Sequence, residues 1–370
     1  MGDRTSDHRS AAPRVDVVVG VHTPERPVER AVGSALRSAA PVRVTVVAHN
    51  TDPSGVRARL GGLADDPRVR LLALADGVRS PANSFNAGLE AATAEFVSII
   101  GSDDEFAAGA LEGWLALADD SRADVVIAPV LRDDGGMGTA PRPRPGRMRS
   151  LDGDRDRLFE RAAPLGLIRR RRFADLRFTP GLPRGEDQAY TLELWFSGAR
   201  VAFDPTLPAY LEHGDQRDRV TMSPGSAGDD FLFLNAMEQS PVFRRMAPAS
   251  RRAVAAKLLR VHVIGAIASR APKGIDATDR AALGEAIERI RGWAGGVEGI
   301  LARRDRAALR AFRAGDDREL EALLGRRSEW RSASALVPAN PLLIAHRHAP
   351  LRSMIAQRRV ARLMAFARSR

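Results

Sequence analysis

An α/β architecture, a mostly parallel sheet sandwiched by helices and followed by a helical region, is predicted by three observations. Apolar runs rich in β-branched residues recur with helix-like spacings between them, the fourth run ends in adjacent carboxylates, and beyond residue 224 the strand signals cease. Strands that alternate with helices imply a parallel sheet built from crossover connections.

Residues 15–21 form a Val-rich run suited to a strand buried on both faces, and residues 28–36 behind it have helical spacing. Residues 42–48 repeat the strand, 56–63 give a short helix after Pro53, and 69–75 give a third strand closing at Asp76-Gly77. Ser80-Pro81 opens a helix with Ser as cap and Pro at the first helical position, and Phe85, Leu89 and Ala92 lie along one face. Residues 95–100 make a fourth strand that stops at Gly101-Ser102-Asp103-Asp104, and a helix follows with Leu111, Trp114, Leu115 and Ala118 on one side. Residues 124–131 read as a further strand, and the Gly-, Pro- and Arg-dominated stretch 132–149 as a mobile loop.

Between residues 165 and 220 the pattern predicts a helix over 187–196 and an extended stretch over 200–210. Later, residues 250–268, 277–293 and 304–324 show helical periodicity. The expected organisation is a disordered N-terminal tail over 1–14, a catalytic domain over 15–222 and a helical basic extension over 223–370. The boundary is placed at Met222-Ser223-Pro224-Gly225.

The 370 residues, 44% of them apolar, suffice for one full core and a second smaller one. Without cysteine there are no disulfides or thiolate metal sites, so a metal would need oxygen or imidazole ligands. The first fourteen residues lack the apolar core of a signal peptide, and no run reaches the roughly 18 apolar residues of a membrane span. A cytoplasmic location is expected. The net charge of +11 is almost wholly arginine, Lys257 and Lys273 being the only lysines. Such a surplus attracts polyanions, although a biased coding background explains it equally well.

Asp103-Asp104 stands at the carboxyl end of a buried strand, where open α/β sheets bind ligands. Adjacent carboxylates suit Mg²⁺ or Mn²⁺ shared with substrate phosphates, while the same pair also serves as a turn and helix cap. Gly185-Glu186-Asp187-Gln188 opens the helix some eighty residues later. A second acidic pair there could supply a general base, or could simply complement the helix dipole.

The order and surroundings of these pairs resemble the family 2 glycosyltransferases with the nucleotide-binding fold called GT-A, over residues 15–221. The most specific stretch runs from Ser84-Phe85-Asn86-Ala87-Gly88 to Ser102-Asp103-Asp104 and is similar to the family's Asn-x-Gly helix, hydrophobic strand and acidic metal motif. Gly185-Glu186-Asp187 is similar to the acidic pair at the acceptor site, and Tyr210-Leu211-Glu212-His213 to the late aromatic strand and histidine.

The resemblance implies that Asp103 contacts the donor ribose, that Asp104 binds Mn²⁺ or Mg²⁺ bridging two phosphates, and that His213 reaches that metal or the diphosphate. It implies Asp187 as the base, with Glu186 orienting it or binding acceptor hydroxyls, and leaves the exchange of those roles open. Asn50, Asp52, Arg79 and Asn83 are expected to line the donor site, the latter two at a helix start that favours anions. Ser80 beside them serves equally as a plain cap.

Three departures bear on the donor. The first strand runs into Val21-His22-Thr23-Pro24-Glu25-Arg26 in place of a Pro-x-Tyr/Phe-Asn turn, the second ends Ala48-His49-Asn50-Thr51-Asp52, and Gly101 stands where many relatives have a third Asp. The expected reaction is inverting transfer of a sugar from a nucleoside-diphosphate sugar, a UDP-sugar above all. Its acceptor is a hydroxyl of a glycan or glycolipid in the synthesis of envelope polysaccharide, glycolipid or a teichoic-acid-like polymer.

The arginine run 169–172 and the cluster Arg358, Arg359, Arg362, Arg368 and Arg370 read as solvated faces. Alternatively they are attracted to an anionic membrane surface at the inner face of the cell membrane or to a phosphate-containing glycopolymer. Two other readings stand beside the enzyme: a nucleic-acid binder, against which the 5% aromatic content and the lack of basic-aromatic interleaving weigh, and a scaffold with impaired catalysis. The helical extension is open to acceptor binding, packing or homo-oligomerisation.

Overall fold

The computed structural model describes residues 12–216 and 225–368. Most of the expected N-terminal tail, Met222 to Pro224 of the expected boundary, and Arg370 lie outside the described residues. In chain order the elements that matter below are β1 (Val15–Val21), α1 (Val28–Leu36), β2 (Val42–His49), α2 (Pro53–Leu60), β3 (Val69–Leu74), α3 (Pro81–Ala91) and β4 (Phe96–Gly101). They continue as β5 (Glu105–Phe106), α4 (Ala110–Ser121), β6 (Val125–Ile127), β7 (Val130–Arg132), β8 (Gly166–Arg169), α5 (Glu186–Phe196), β9 (Val201–Ala202) and β10 (Tyr210–Glu212). The chain forms two compact units that interleave in sequence: 12–138, 165–178 and 207–216 in the first, and 139–164, 179–206 and 225–368 in the second.

The first unit is built on a sheet in the order β3-β2-β1-β4-β8-β6. β1 pairs in parallel with β2 on one side and β4 on the other, β2 with β3, and β8 runs antiparallel to both β4 and β6. Val15, Val17, Val18 and Val19 are fully buried, as the unbroken Val run requires of a central strand covered on both faces. α3 lies directly on β1: a Cβ at Gly88 would stand 2.1 Å from Val18 Cγ1, so only glycine permits this approach. Asn86 on the same helix clamps a distant segment, its amide exchanging two 2.9 Å hydrogen bonds with the backbone of Phe178. Below the sheet, Asp16 is fully buried and paired through both oxygens with Arg43 at 2.7 Å.

Several boundaries differ from expectation for local reasons. The 124–131 strand is two short strands in different sheets, because Pro129 has no N–H for a continuous ladder and β7 departs to pair with β10 beside β5. α2 starts at Pro53, ahead of the expected 56, because Asp52 caps it by accepting from Ser54 N–H at 2.9 Å. The 132–149 stretch, expected as a mobile loop, is tied down in its later part, where Asp156 accepts the Arg142 N–H at its carbonyl and the Arg144 N–H at its carboxylate. Arg169 is not a solvated member of its run, since it is buried, bonded to Glu95 and stacked 4.4 Å over the Phe96 ring.

The second unit is mainly helical. Phe159, Leu182 and Leu192, from segments ahead of residue 206, share one core with Phe233, Leu258, Leu259, Ile287, Leu309 and Phe312. The expected helix 250–268 is Pro248–Leu258, a π turn over Leu259–Val263 and Ile264–Arg270, while 304–324 is broken at Gly315, whose φ of 71° ends the first piece. Among the described residues no helix is long and apolar enough to cross a membrane.

Candidate active site

The sheet order reverses at β1 and β4, because the chain leaves β1 toward β2 and β3 and returns to its other side as β4. A crevice opens outside the carboxyl ends of strands at such a switch point. Asp103 and Asp104 stand there, 7% and 8% exposed, in a turn closed by Asp104 N–H donating to the Gly101 carbonyl at 3.1 Å.

The two carboxylates differ in their partners. Asp103 Oδ2 faces Arg26 Nη1 at 2.7 Å, and its carbonyl accepts from Arg30, whose guanidinium also pairs with Asp215 at 2.8 Å. Asp104 is oriented by neutral donors: the Tyr210 hydroxyl reaches Oδ2 at 2.6 Å and the His213 backbone N–H reaches Oδ1 at 3.1 Å. Burial and the adjacent Asp104 charge push the Tyr210 phenol well above its ordinary range, so it stays a donor. The His213 ring lies with Nε2 3.4 Å from Glu105 Oε2. Arg26 and Arg30 follow the first strand at the switch point, and that position is the one signal by which sequence reasoning could have found them.

Gly101 has a geometric role. A Cβ there would stand 2.7 Å from Asp104 Oδ2 and 3.2 Å from Asp103 Oδ1, so both carboxylates fold back over a residue without a side chain. Among the described residues no three His, Asp or Glu side chains gather into a metal cage. Mg²⁺ does not need one, since it is commonly held by one or two carboxylates plus substrate phosphates. Asp104, a carboxylate aimed by the two donors just described, is a ligand of the kind such an ion takes.

At the ends of β2 and β3 the organising residue is Asp76, read from the sequence only as a turn. Its Oδ1 accepts from His49 at 2.8 Å, Asn50 at 3.1 Å and Val78 N–H at 2.9 Å, and its Oδ2 accepts from Asn83 at 2.6 Å. These bonds, the one from Asn83 foremost, hold its carboxyl far below the usual range. Asn50 adopts a φ of 54° and its side-chain oxygen accepts the Gly77 N–H at 2.9 Å. Asn50 and Asn83 are thus brought together, while Asp52 is exposed and engaged in capping α2, and Arg79 is exposed in the loop before α3. Ser80 occupies the N-cap position of α3 without making a capping bond.

The second acidic pair opens α5. Glu186 and Asp187 keep partial solvent access, yet atoms crowd both closely enough to favour the neutral form. Burial, then the neighbouring Asp187 charge, push Glu186 up to about 8, and burial also raises Asp187, against the pull of Lys257. A short relay supports Asp187: Gln188 Nε2 donates to Asp187 Oδ1 at 3.0 Å, and Lys257 Nζ donates to Gln188 Oε1 at 2.8 Å. Lys257 also donates to His262 Nε2 at 3.0 Å, the buried imidazole being held neutral.

Five residues apart on a regular helix, two side chains point about 140° away from one another. The π turn at Leu259–Val263 removes that difference for Lys257 and His262. Lys257 is buried, which pulls its ammonium down to about 8, and sequence reasoning registered it only as one of two lysines.

Residues 16–176 match the family described as Glycosyl transferase family 2. The succinoglycan biosynthesis protein ExoO of Rhizobium meliloti (strain 1021) is 32% identical over 115 residues, covering 31% of this chain and 32% of that protein. The match therefore spans about a third of that relative's length. The structure of S. aureus TarS 1–349 in complex with UDP-GlcNAc superposes with a TM-score of 0.68 at 16% identity, covering 85% of this chain and 92% of that one. Longer S. aureus TarS superposes at 0.64 and 17% identity, with 85% and 55% covered. At such identities these likenesses speak to the fold.

Proposed function

We propose that this chain, which over residues 16–176 belongs to glycosyl transferase family 2, transfers a sugar from a UDP-sugar to an acceptor hydroxyl with inversion, in the assembly of a cell-envelope glycan. The observation that carries this reading is Asp104 at the carboxyl end of β4, aimed by the Tyr210 hydroxyl and the His213 N–H. The ExoO match and the shared fold with a TarS structure that holds UDP-GlcNAc support the envelope context and the donor class.

In this reading Asp103, paired with Arg26, accepts hydrogen bonds from the donor ribose, while Arg30 adds positive charge beside the diphosphate. Asn50 and Asn83, arranged around Asp76, face the nucleotide. Asp104, with His213, would hold Mn²⁺ or Mg²⁺, which when bound stabilises negative charge on the leaving diphosphate. Asp187 takes the proton from the acceptor hydroxyl, which attacks the anomeric carbon opposite the departing nucleoside diphosphate. Glu186 and Asp187 repel as two anions, so one proton resides on the pair near neutral pH. Lys257 and Gln188 favour the charge on Asp187, which leaves Glu186 protonated to orient the acceptor.

The test is thermal stability with UDP, GDP, TDP and CDP, each with and without Mn²⁺, on the parent and on Asp104→Ala, since a ligand bound by the folded state raises its stability. A shift for UDP that needs both Mn²⁺ and Asp104 supports the reading. No shift with any of the four defeats it.

A further inference from the structure

Six arginines, Arg144, Arg155, Arg157, Arg347, Arg352 and Arg359, line a cavity of about 450 Å³ within the second unit. Two are neutralised, Arg144 by Asp156 at 2.7 Å and Arg347 by Asp154 at 2.9 Å. Among the described residues no carboxylate forms an ion pair with the other four.

Arg157 shows what this arrangement costs. It is 7% exposed, its terminal nitrogens donate to the carbonyls of Arg142, at 3.1 Å, and Arg347, and its Nε is buried without a partner. Its backbone sits at a φ of 52°, a conformation unfavourable for a residue with a side chain. Burial, with the nearby charges of Arg142, Arg352 and Arg359 and against the pull of Glu160, brings its guanidinium down to about 10. Like charges gathered around a hollow and a buried donor left unsatisfied are each unfavourable. An anion in the cavity offsets both.

The shape and the donors narrow the class of anion. Guanidinium forks match the oxygens of phosphate in pairs. A recess of this volume admits a phosphate group and its flanking carbons, whereas a bilayer presents a broad layer of headgroups that meets protruding side chains. We propose that this cavity binds the phosphate of a soluble phosphate ester, with Arg157 at its base and Arg352 and Arg359 at its rim. In the transferase reading the ester belongs to a phosphate-bearing glycan chain, and that identity rests on the reading, whereas phosphate binding itself does not.

Tripolyphosphate is the probe, titrated calorimetrically into the full chain with EDTA present so that no divalent metal assists at Asp104. Each charge-assisted bond to phosphate contributes about 1.5–3 kcal/mol, so Arg157→Gln and the double variant Arg352→Gln/Arg359→Gln should each weaken binding about tenfold or more. Arg318→Gln, which removes an exposed charge elsewhere in the second unit, and Asp104→Ala should both leave it unchanged. The rim variant keeps the test sound if Arg157→Gln fails to fold. Equal weakening by Arg318→Gln would mean diffuse charge and overturn the proposal. So would absence of tripolyphosphate binding alongside rim-arginine-dependent binding to equimolar phosphatidylglycerol and phosphatidylcholine vesicles, which would make the patch a membrane contact.

Discussion

The hydroxyl of Tyr210 donates to Asp104 Oδ2 at 2.6 Å and accepts the Gly101 N–H at 2.9 Å, so a single phenol fixes both the end of β4 and the carboxylate beyond it. Tyr210→Phe keeps the ring packed against Phe106 and removes only these two bonds. Partners that orient a metal ligand typically alter metal affinity by about 10–100-fold. The Mn²⁺ concentration needed for half-maximal UDP stabilisation should rise by about tenfold, and an unchanged Mn²⁺ dependence would remove Tyr210 from the site.

Gly101 permits the fold-back of both aspartates, so restoring a third carboxylate here should harm the site. Gly101→Asp places a Cβ within 2.7 Å of Asp104 Oδ2 and displaces it. Nucleotide-dependent stabilisation should fall in Gly101→Asp and, to a lesser degree, in Gly101→Ala. Tighter UDP and Mn²⁺ binding in the aspartate variant would show that Asp104 does not need the position seen here.

Glu186 offers a test through stability. Folding raises its carboxyl from 4.5 to about 8, so the folded chain retains a proton that the unfolded chain loses. The stability due to that proton is greatest below pH 4.5 and declines as pH rises toward 8. Glu186→Gln imitates the protonated form. Its melting temperature should exceed the parent's at pH 8 by several degrees, each kcal/mol being worth about 2–4 °C, and the difference should vanish near pH 4. Parallel melting curves across that range would contradict the raised carboxyl.

Lys257 acts on Asp187 through Gln188, so it is a positioning residue whose loss should change a pH profile and not only a rate. Removing the ammonium raises the pH at which Asp187 ionises, because a neighbouring cation favours the carboxylate. Lys257→Met should move the acidic limb of kcat toward higher pH, with Lys257→Arg returning part of the shift. A uniform fall in kcat with an unmoved limb would reduce Lys257 to a packing role.

Asp187→Asn removes the proposed base outright. Loss of a positioned base typically costs about 10²–10⁴-fold, and that loss is expected in kcat once an acceptor is in hand. Nucleotide binding should persist, and full turnover in this variant would return the role to Glu186.

The sequence by itself determined the α/β sheet of the first unit, because the strands at 15–21, 42–49 and 96–101 are buried on both faces and a buried parallel strand writes itself as an apolar β-branched run. It also marked Asp103, Asp104 and the segment with Tyr210 and His213 as candidates, since each sits in a short contiguous motif and needs no partner to be noticed. Where residues act through distant partners the linear pattern held no sign of it. Arg26 meets Asp103 across 77 positions, Tyr210 meets Asp104 across 106, and Lys257 meets Gln188 across 69.

Neighbouring side chains also have uses that their segment does not announce: Asp52, expected at the nucleotide, caps α2, while Asp76, at the end of β3, gathers His49, Asn50 and Asn83. Local propensity and burial are properties of a segment and can be read along it. Ion pairs, shared protons and close approaches such as Gly88 on Val18 are properties of two segments, and only the packed chain decides which two meet.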